Sequence, residues 1–485
     1  MSSKKVSVEK NFIYNVVLQC ATLIVPFITT PYVSRVLGAD NLGVYSFAMA
    51  MVTYFTLVST LGSSTYGQRK VAFFRDDKEA VSRAFWNNVF FRLIMSAAAL
   101  VLYLSYVAIY EDWNIIYLIM ALHIVYSILD ITWFFQGIED FKNVGIRNLL
   151  VRLVSLVGIY IFVKDAGDTW KYTLIVVASY LLGSISMWFM LAGKIQFVKD
   201  IHPFEGFKDN VLIFLPSVAT QVYMVLDKSM IGWITKSDYA NGCYDMSERI
   251  ARLALTVVTS LGAVLLPRIA NLYHHNDEEA IKEYVYKAYR TVGMIGIPMM
   301  FGLMGVSSVF IPIFLGQGYD DSVGLLIIFS ALVFVVGEAY VIGISYLVST
   351  EQQNVYTMTV TVAAVVNFIM NLCMIPVIGA FGAAIASVTA EFVALLIQIF
   401  YCVRKKGFNG SKFITPLIKY IVAGAIMLIA VILAKTVLGS GIIDLAIYIF
   451  IGTIAYMACL LMLRDELFIS VFRKMTGFIK GRINR

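Results

Sequence analysis

Nine ionisable side chains stand where hydrocarbon should reject them. Arg92, Arg152, Lys228, Arg252 and Lys419, with Asp130, Asp227, Glu338 and Glu391, fall inside long apolar runs of a chain of 485 residues. A charge facing lipid at the bilayer centre costs at least about 2.5 to 3.5 kcal/mol, so the deeper ones must face an aqueous cavity or a partner. Cationic side chains at depth offer donors to a phosphate, Arg with bidentate geometry. Carboxylates at depth can trade protons or hold a coupling cation. On this reading Lys228, Arg252, Arg152 and Arg35 bind an anionic group, while Asp227, Glu338 and Glu391 couple to a cation. A plainer reading makes them interhelical ion pairs. For Arg92, Arg152, Asp130 and Lys419, within about two turns of the inner surface, snorkelling to headgroups would also serve. Asp227 and Lys228 point about 100° apart on a helix and each needs its own partner.

The elements that must position these groups are membrane helices. The chain is 60% hydrophobic and 14% charged, against about 25% charged in soluble domains. A hydrocarbon core about 30 Å thick takes roughly 20 apolar residues per crossing. Such runs cover 12–34, 41–62, 86–109, 114–135, 146–163 and 172–192, then 211–232, 250–267, 291–314, 322–348, 355–376 and 381–403, and finally 413–434 and 441–463. The predicted fold is an all-α integral membrane protein of about fourteen transmembrane helices. The first run is read as a retained helix, being too long for a signal h-region and lacking a small-residue cleavage site.

Loop charge sets the orientation, because Lys and Arg are retained in the cytoplasm. With the N-terminus inside, most of the 38 Lys and Arg fall on inner loops and tails, among them Arg69, Lys70, Arg75, Lys78, Arg83 and Arg404 to Lys406. Arg35, Lys164, Lys171, Lys236, Arg249 and Lys435 fall on the other side. Both termini are therefore expected in the cytoplasm. The longest outer connection is expected from about Ile234 to Arg249.

Shifted by 200 positions, Val58-Ser-Thr-Leu-Gly62 lies on Val258-Thr-Ser-Leu-Gly262 and Asp77-Lys-Glu-Ala80 on Asp277-Glu-Glu-Ala280. Parallel repeats of this kind are an established transporter plan. The expected organisation is an N-terminal six-helix lobe (1–192), a cytoplasmic linker (193–210), a second six-helix lobe (211–403), and two further helices with a basic tail (404–485). The lobes would be related by a pseudo-twofold along the membrane normal, with a cavity between them. Pro26 and Pro31 in the first helix and Pro216 in the seventh would make the first helix of each copy bendable. Lys228, Arg252 and Arg35 would then lie at similar depth in the outer half of that cavity.

Other chemistries drop out. Cys20, Cys243, Cys373, Cys402 and Cys459 show no paired spacing, and the four histidines lack partners at metal-ligand spacing. No metal site, catalytic residue or cofactor is expected, and a proton or sodium gradient would supply the driving force. There is no Walker sequence, nucleophile elbow or zinc motif. Asn409-Gly-Ser411 fits a glycosylation acceptor but falls on a predicted cytoplasmic loop. The net charge of +7 follows from the inner loops and calls for no nucleic acid.

The N-terminal third carries a resemblance. Pro26-Phe-Ile-Thr-Thr-Pro-Tyr-Val-Ser-Arg-Val-Leu-Gly38, Leu42-Gly-Val-Tyr-Ser46, Leu61-Gly62 and Tyr66-Gly-Gln-Arg69 resemble the polysaccharide flippases of the Wzx type, in the multidrug and oligosaccharidyl-lipid exporter superfamily. Leu226-Asp-Lys-Ser-Met-Ile-Gly232 is similar to the same family, and the last two helices match only in number. The resemblance implies a transporter, not an enzyme, that moves undecaprenyl-diphosphate-linked oligosaccharide repeat units, of O-antigen or capsule, from inner to outer leaflet by alternating access. It places Arg35 and Lys228 on family-like positions. Its implied partners are the lipid-linked oligosaccharide, membrane lipids, and a polysaccharide polymerase and chain-length regulator. A cation-coupled drug exporter of the same superfamily would weight its cavity towards carboxylates. A membrane polymerase or ligase would need a larger outer loop.

Overall fold

The computed structural model describes the backbone of residues 8–263, 266–275 and 277–473 and, within them, all side chains except those of 8–24, 215–220, 261–263, 266 and 267. The basic tail beyond Arg473 and the side chain of Pro216 thus lie outside the described residues. Among those residues the regular elements are all helical. Among the described residues eleven segments are long and apolar enough to cross a membrane, where about fourteen are expected for the whole chain. By contact the chain divides into two units, Met1–Gly242 and Cys243–Arg485.

The first unit holds α1 (Val8–Thr60), α2 (Ser63–Phe73), α3 (Lys78–Tyr110), α4 (Ile115–Leu129), α5 (Thr132–Gly137), α6 (Phe141–Phe162), α7 (Thr169–Phe189) and α8 (Phe207–Thr235). Helix α1 packs on α3, α4, α6 and α8, and α7 on α4 and α6. Pro26 and Pro31 lie inside α1, yet the break in it falls at Gly38 (φ 79°, ψ 171°), where a missing Cβ makes the left-handed backbone cheap. Gly43 shows a second use of glycine: a Cβ there would sit 1.8 Å from the Asp238 carbonyl oxygen, so only glycine lets these backbones touch. The predicted run 114–135 is divided at Asp130, whose carboxylate accepts from the Thr132 amide at 3.2 Å.

Helix α9 (Asp238–Ala263) begins two residues after α8 ends. This corrects the long outer connection expected from Ile234 to Arg249. The polar stretch 238–249 reads as loop by hydropathy, but it is helical, and its Asp245 and Glu248 are buried against basic partners one turn on. In the second unit follow α10 (Leu266–His274), α11 (Glu278–Phe314), α12 (Asp320–Tyr340), a π-helix (Val341–Val348), α13 (Gln353–Ile378), α14 (Ala380–Lys405), α15 (Gly410–Lys435) and α16 (Ile442–Met462). Helix α11 packs against α12 and α15, α13 against α14, and α15 against α16.

Local chemistry accounts for two helix starts and for one carbonyl that a proline leaves free. Asp77 accepts from the Glu79 and Ala80 amides (3.0 and 3.1 Å), and Asp277 accepts from Ala280 (3.1 Å), so the two matched sequence segments cap their helices alike. Pro298 inside α11 has no N–H for the Met294 carbonyl. The Tyr456 hydroxyl donates to that carbonyl instead, at 2.9 Å, which fastens α16 to α11.

Candidate functional site

The charged residues singled out from the sequence separate into three situations. The first is structural. Arg92 is 1% exposed. Its guanidinium donates from Nε to the Ser63 hydroxyl at 2.7 Å, from Nη1 to the carbonyls of Ser127 (3.2 Å) and Asp130 (2.7 Å), and from Nη2 to the Ser64 hydroxyl. It also lies over the Trp133 ring. Arg92 therefore neither snorkels nor faces a cavity: it ties α2, α3 and α4 together. Arg147, which hydropathy did not single out, is likewise buried, and donates to the Ser184 hydroxyl at 2.6 Å. Lys419 reaches the Leu463 carbonyl at 3.4 Å.

The second situation is the polar lining of helices. In the first unit Asp227 is buried on α8 beside Tyr54 of α1, whose hydroxyl bonds that of Ser229 at 3.0 Å. Lys228 is half-buried, with its carbonyl accepting from Asn241 at 3.1 Å. Arg35 is exposed on α1, three residues before the Gly38 break, and Arg152 is half-buried on α6.

In the second unit Arg252 pairs with Glu248, its Nη2 2.6 Å and its Nε 2.7 Å from Oε1, and Arg249 pairs with Asp245 at 2.8 Å. Glu391 of α14 is close enough to act electrostatically on Arg252. One turn before Glu391, Ser387 meets the Tyr244 hydroxyl and accepts from Asn367 (both 3.4 Å), and Asn371 donates to Asn367 at 3.2 Å. The structure thus brings Arg252 and Glu391 together in a polar seam of α9, α13 and α14. Sequence reasoning missed Asp245 and Glu248, although an acid four residues before an Arg, twice over, is a readable helix signal.

Glu338 is the third situation. It is fully buried at the end of α12, and neither carboxylate oxygen has a hydrogen-bond partner. Gly293 of α11 makes room for it: a Cβ there would lie 2.8 Å from Oε1. Three residues on, the helix widens into the π-helix, a distortion frequent at functional sites. A polar group buried without a partner costs free energy that ordinary packing does not return, and a carboxylate costs the most.

Among the described residues no group of His, Cys, Asp and Glu could hold a metal ion. A family model described as polysaccharide biosynthesis protein matches residues 8–273, more than half of the chain. The chain belongs to this family. A putative O-antigen transporter of Escherichia coli (strain K12) is 22% identical over 424 residues, 84% of this chain and 99% of that protein. The probable low-salt glycan biosynthesis flippase Agl15 of Haloferax volcanii is 23% identical over half of each chain. Among solved structures, the lipid II flippase MurJ in an inward closed conformation superposes with a TM-score of 0.77 at 16% identity, over 93% of this chain and all of that one. This polysaccharide biosynthesis family member has the fold of that structure. It is a multi-pass membrane transporter, not an enzyme.

Proposed function

We propose that the protein flips undecaprenyl-diphosphate-linked oligosaccharide repeat units from the inner to the outer leaflet of a bacterial cytoplasmic membrane, by alternating access, for O-antigen or capsule synthesis. The observation that carries this reading is the state of Arg252. Its side chain is 43% exposed on the long helix α9, and a nearly buried carboxylate, Glu248 at 9%, holds it in place. An arginine held this way presents donors to a diphosphate without stranding a lone charge when the cargo leaves. Arg35, Arg152 and Lys228 are proposed as further contacts for the anionic head.

Energy would come from a proton or sodium gradient. Glu338 is the favoured proton carrier, because a carboxylate without a partner is far cheaper to bury as the neutral acid, and Asp227 and Glu391 are the further coupling carboxylates. A polysaccharide polymerase and a chain-length regulator are the proposed protein partners, and both termini are placed in the cytoplasm.

Mass spectrometry of the lipids that co-purify with the protein tests the cargo: a polyprenyl diphosphate bearing sugar is expected, and its absence from protein that restores export in a flippase-deficient cell would overturn the reading. Arg252→Ala at equal protein level should weaken lipid-oligosaccharide binding by about 1.5 to 3 kcal/mol, the worth of one charged hydrogen bond.

A further inference from the structure

Between α7 and α8 the chain runs through residues 190–206 without a regular element, and these include most of the linker that the sequence places between its two six-helix lobes. Such a segment has backbone donors and acceptors to satisfy and no ladder of its own. Helix α3 supplies the partners. The Gln196 carbonyl accepts from Trp86 Nε1 at 3.1 Å, and the Gln196 N–H donates to the Ser82 hydroxyl at 3.0 Å. That hydroxyl donates in turn to the Lys78 carbonyl at 2.6 Å, so both of its roles are fixed. Further on, the His202 N–H donates to Asn87 Oδ1 at 2.7 Å, and Asn87 Nδ2 donates to the Glu205 carboxylate at 3.1 Å. Arg83 faces Asp200 at 3.7 Å. Rings fill the intervals: Phe197 lies against Trp86 with centroids 5.4 Å apart, and Phe204 against Phe91 at 5.7 Å.

Steps of four residues join Ser82 to Trp86 and Arg83 to Asn87 and Phe91, so one stripe of α3 makes all of these contacts. Trp86, Ser82 and Asn87 bond the backbone of Gln196 and His202, whatever side chains stand there, so the hold on the segment is written in α3. The far end is fixed as well. A Cβ at Gly206 would lie 2.0 Å from the Tyr66 hydroxyl, so the backbone there rests on α2. A segment held at Gln196, His202 and Gly206 cannot lengthen or pivot without breaking these bonds, and each broken one would leave a backbone group to be satisfied again.

We propose, resting on alternating access as read above, that residues 190–206 are a strap that stays on α3 and α2 while the protein works, and not a free hinge between its halves. Any bending that transport requires then begins beyond Gly206.

Hydrogen exchange and cross-linking of the full chain test it. The Gln196 and His202 amides should exchange about tenfold or more slower than in an unstructured peptide. Ser82→Ala/Asn87→Ala should remove that protection, and Asn87→Ala alone, which frees His202, serves if the double variant does not fold. An unprotected wild type, or protection that survives these variants, would overturn the clamp. Arg83→Cys/Asp200→Cys joined by a short bis-maleimide should export polysaccharide as well as the same variant blocked with a monofunctional maleimide, since the two positions do not move apart. Loss of export in the joined protein alone would make the segment a moving hinge and the proposal wrong. Failure of export by the wild type itself, in a flippase-deficient cell, would count instead against the flippase reading, and the exchange rates would still decide the clamp.

Discussion

In the first unit the Arg92 guanidinium, 1% exposed, gives its donors to two hydroxyls and two carbonyls. In the second unit the Glu338 carboxyl, with no exposure at all, meets nothing that donates to it. Both residues break the same hydropathy rule, and burial alone would rank them together. Partners separate them. A buried charge with every donor satisfied cross-links helices, and its removal strands the groups it served. A buried acid with none destabilises the state in which it sits.

The comparison can be broken from either side. Arg92→Ala should do the most damage, leaving two carbonyls and two hydroxyls without their donor at a cost of about 3 to 5 kcal/mol. The measurement is thermal stability in detergent and the amount of protein in the membrane; a variant as stable as wild type would show that the bonds around Arg92 are dispensable. Glu338→Gln should behave in the opposite way. The amide matches the carboxyl in size and brings no charge to bury, so it changes stability by about 1 kcal/mol or less, while export of polysaccharide at equal protein level falls at least tenfold. Normal export would remove Glu338 from coupling, and collapse of the fold would make it a structural residue like Arg92.

Gly293→Ala sharpens the second half. The added Cβ would meet Glu338 Oε1 at 2.8 Å and Leu417 Cδ2 at 2.7 Å, an overpacking worth about 1 to 3 kcal/mol. Adding Glu338→Ala should recover part of that loss, and a strictly additive double variant would mean the carboxyl is not what Gly293 accommodates.

The smallest effect belongs to Asp140, at the surface between α5 and α6. Burial would raise its pKa, but bonds from the Asn143 side chain at 2.7 Å and from Lys194 at 3.0 Å hold the carboxyl below the usual carboxylate range. Its contribution is thus full at neutral pH, begins to fade below the unfolded value of about 3.9, and is lost as pH falls through the lower folded value. Amide exchange around Lys194 should quicken only below about pH 4, by less than about 1 kcal/mol for so exposed a pair. Quickening already at pH 6 would assign the pair no such role.

Part of what makes up the candidate site was readable and part was not. Glu338, Arg252 and Glu391 were named because lipid rejects charge, a rule that needs only hydropathy. Asp245 and Glu248 were not, because the acidic residues that make this stretch look like a loop are the ones that α9 buries against Arg249 and Arg252. Prolines in α1 were read as the flexible points, whereas the observed break is at Gly38, since a membrane helix absorbs proline more readily than a positive φ.

The sequence by itself determined the solvent and the element: at 60% hydrophobic residues in long runs, backbone polar groups in lipid must be satisfied within helices. It also determined which charges would need an explanation. Only the tertiary structure decided which explanation each received. Partners such as Ser63 for Arg92, or Gly293 beside Glu338, come from distant parts of the chain, and hydrogen bonding acts over about 3 Å, a range that hydropathy along the chain does not resolve.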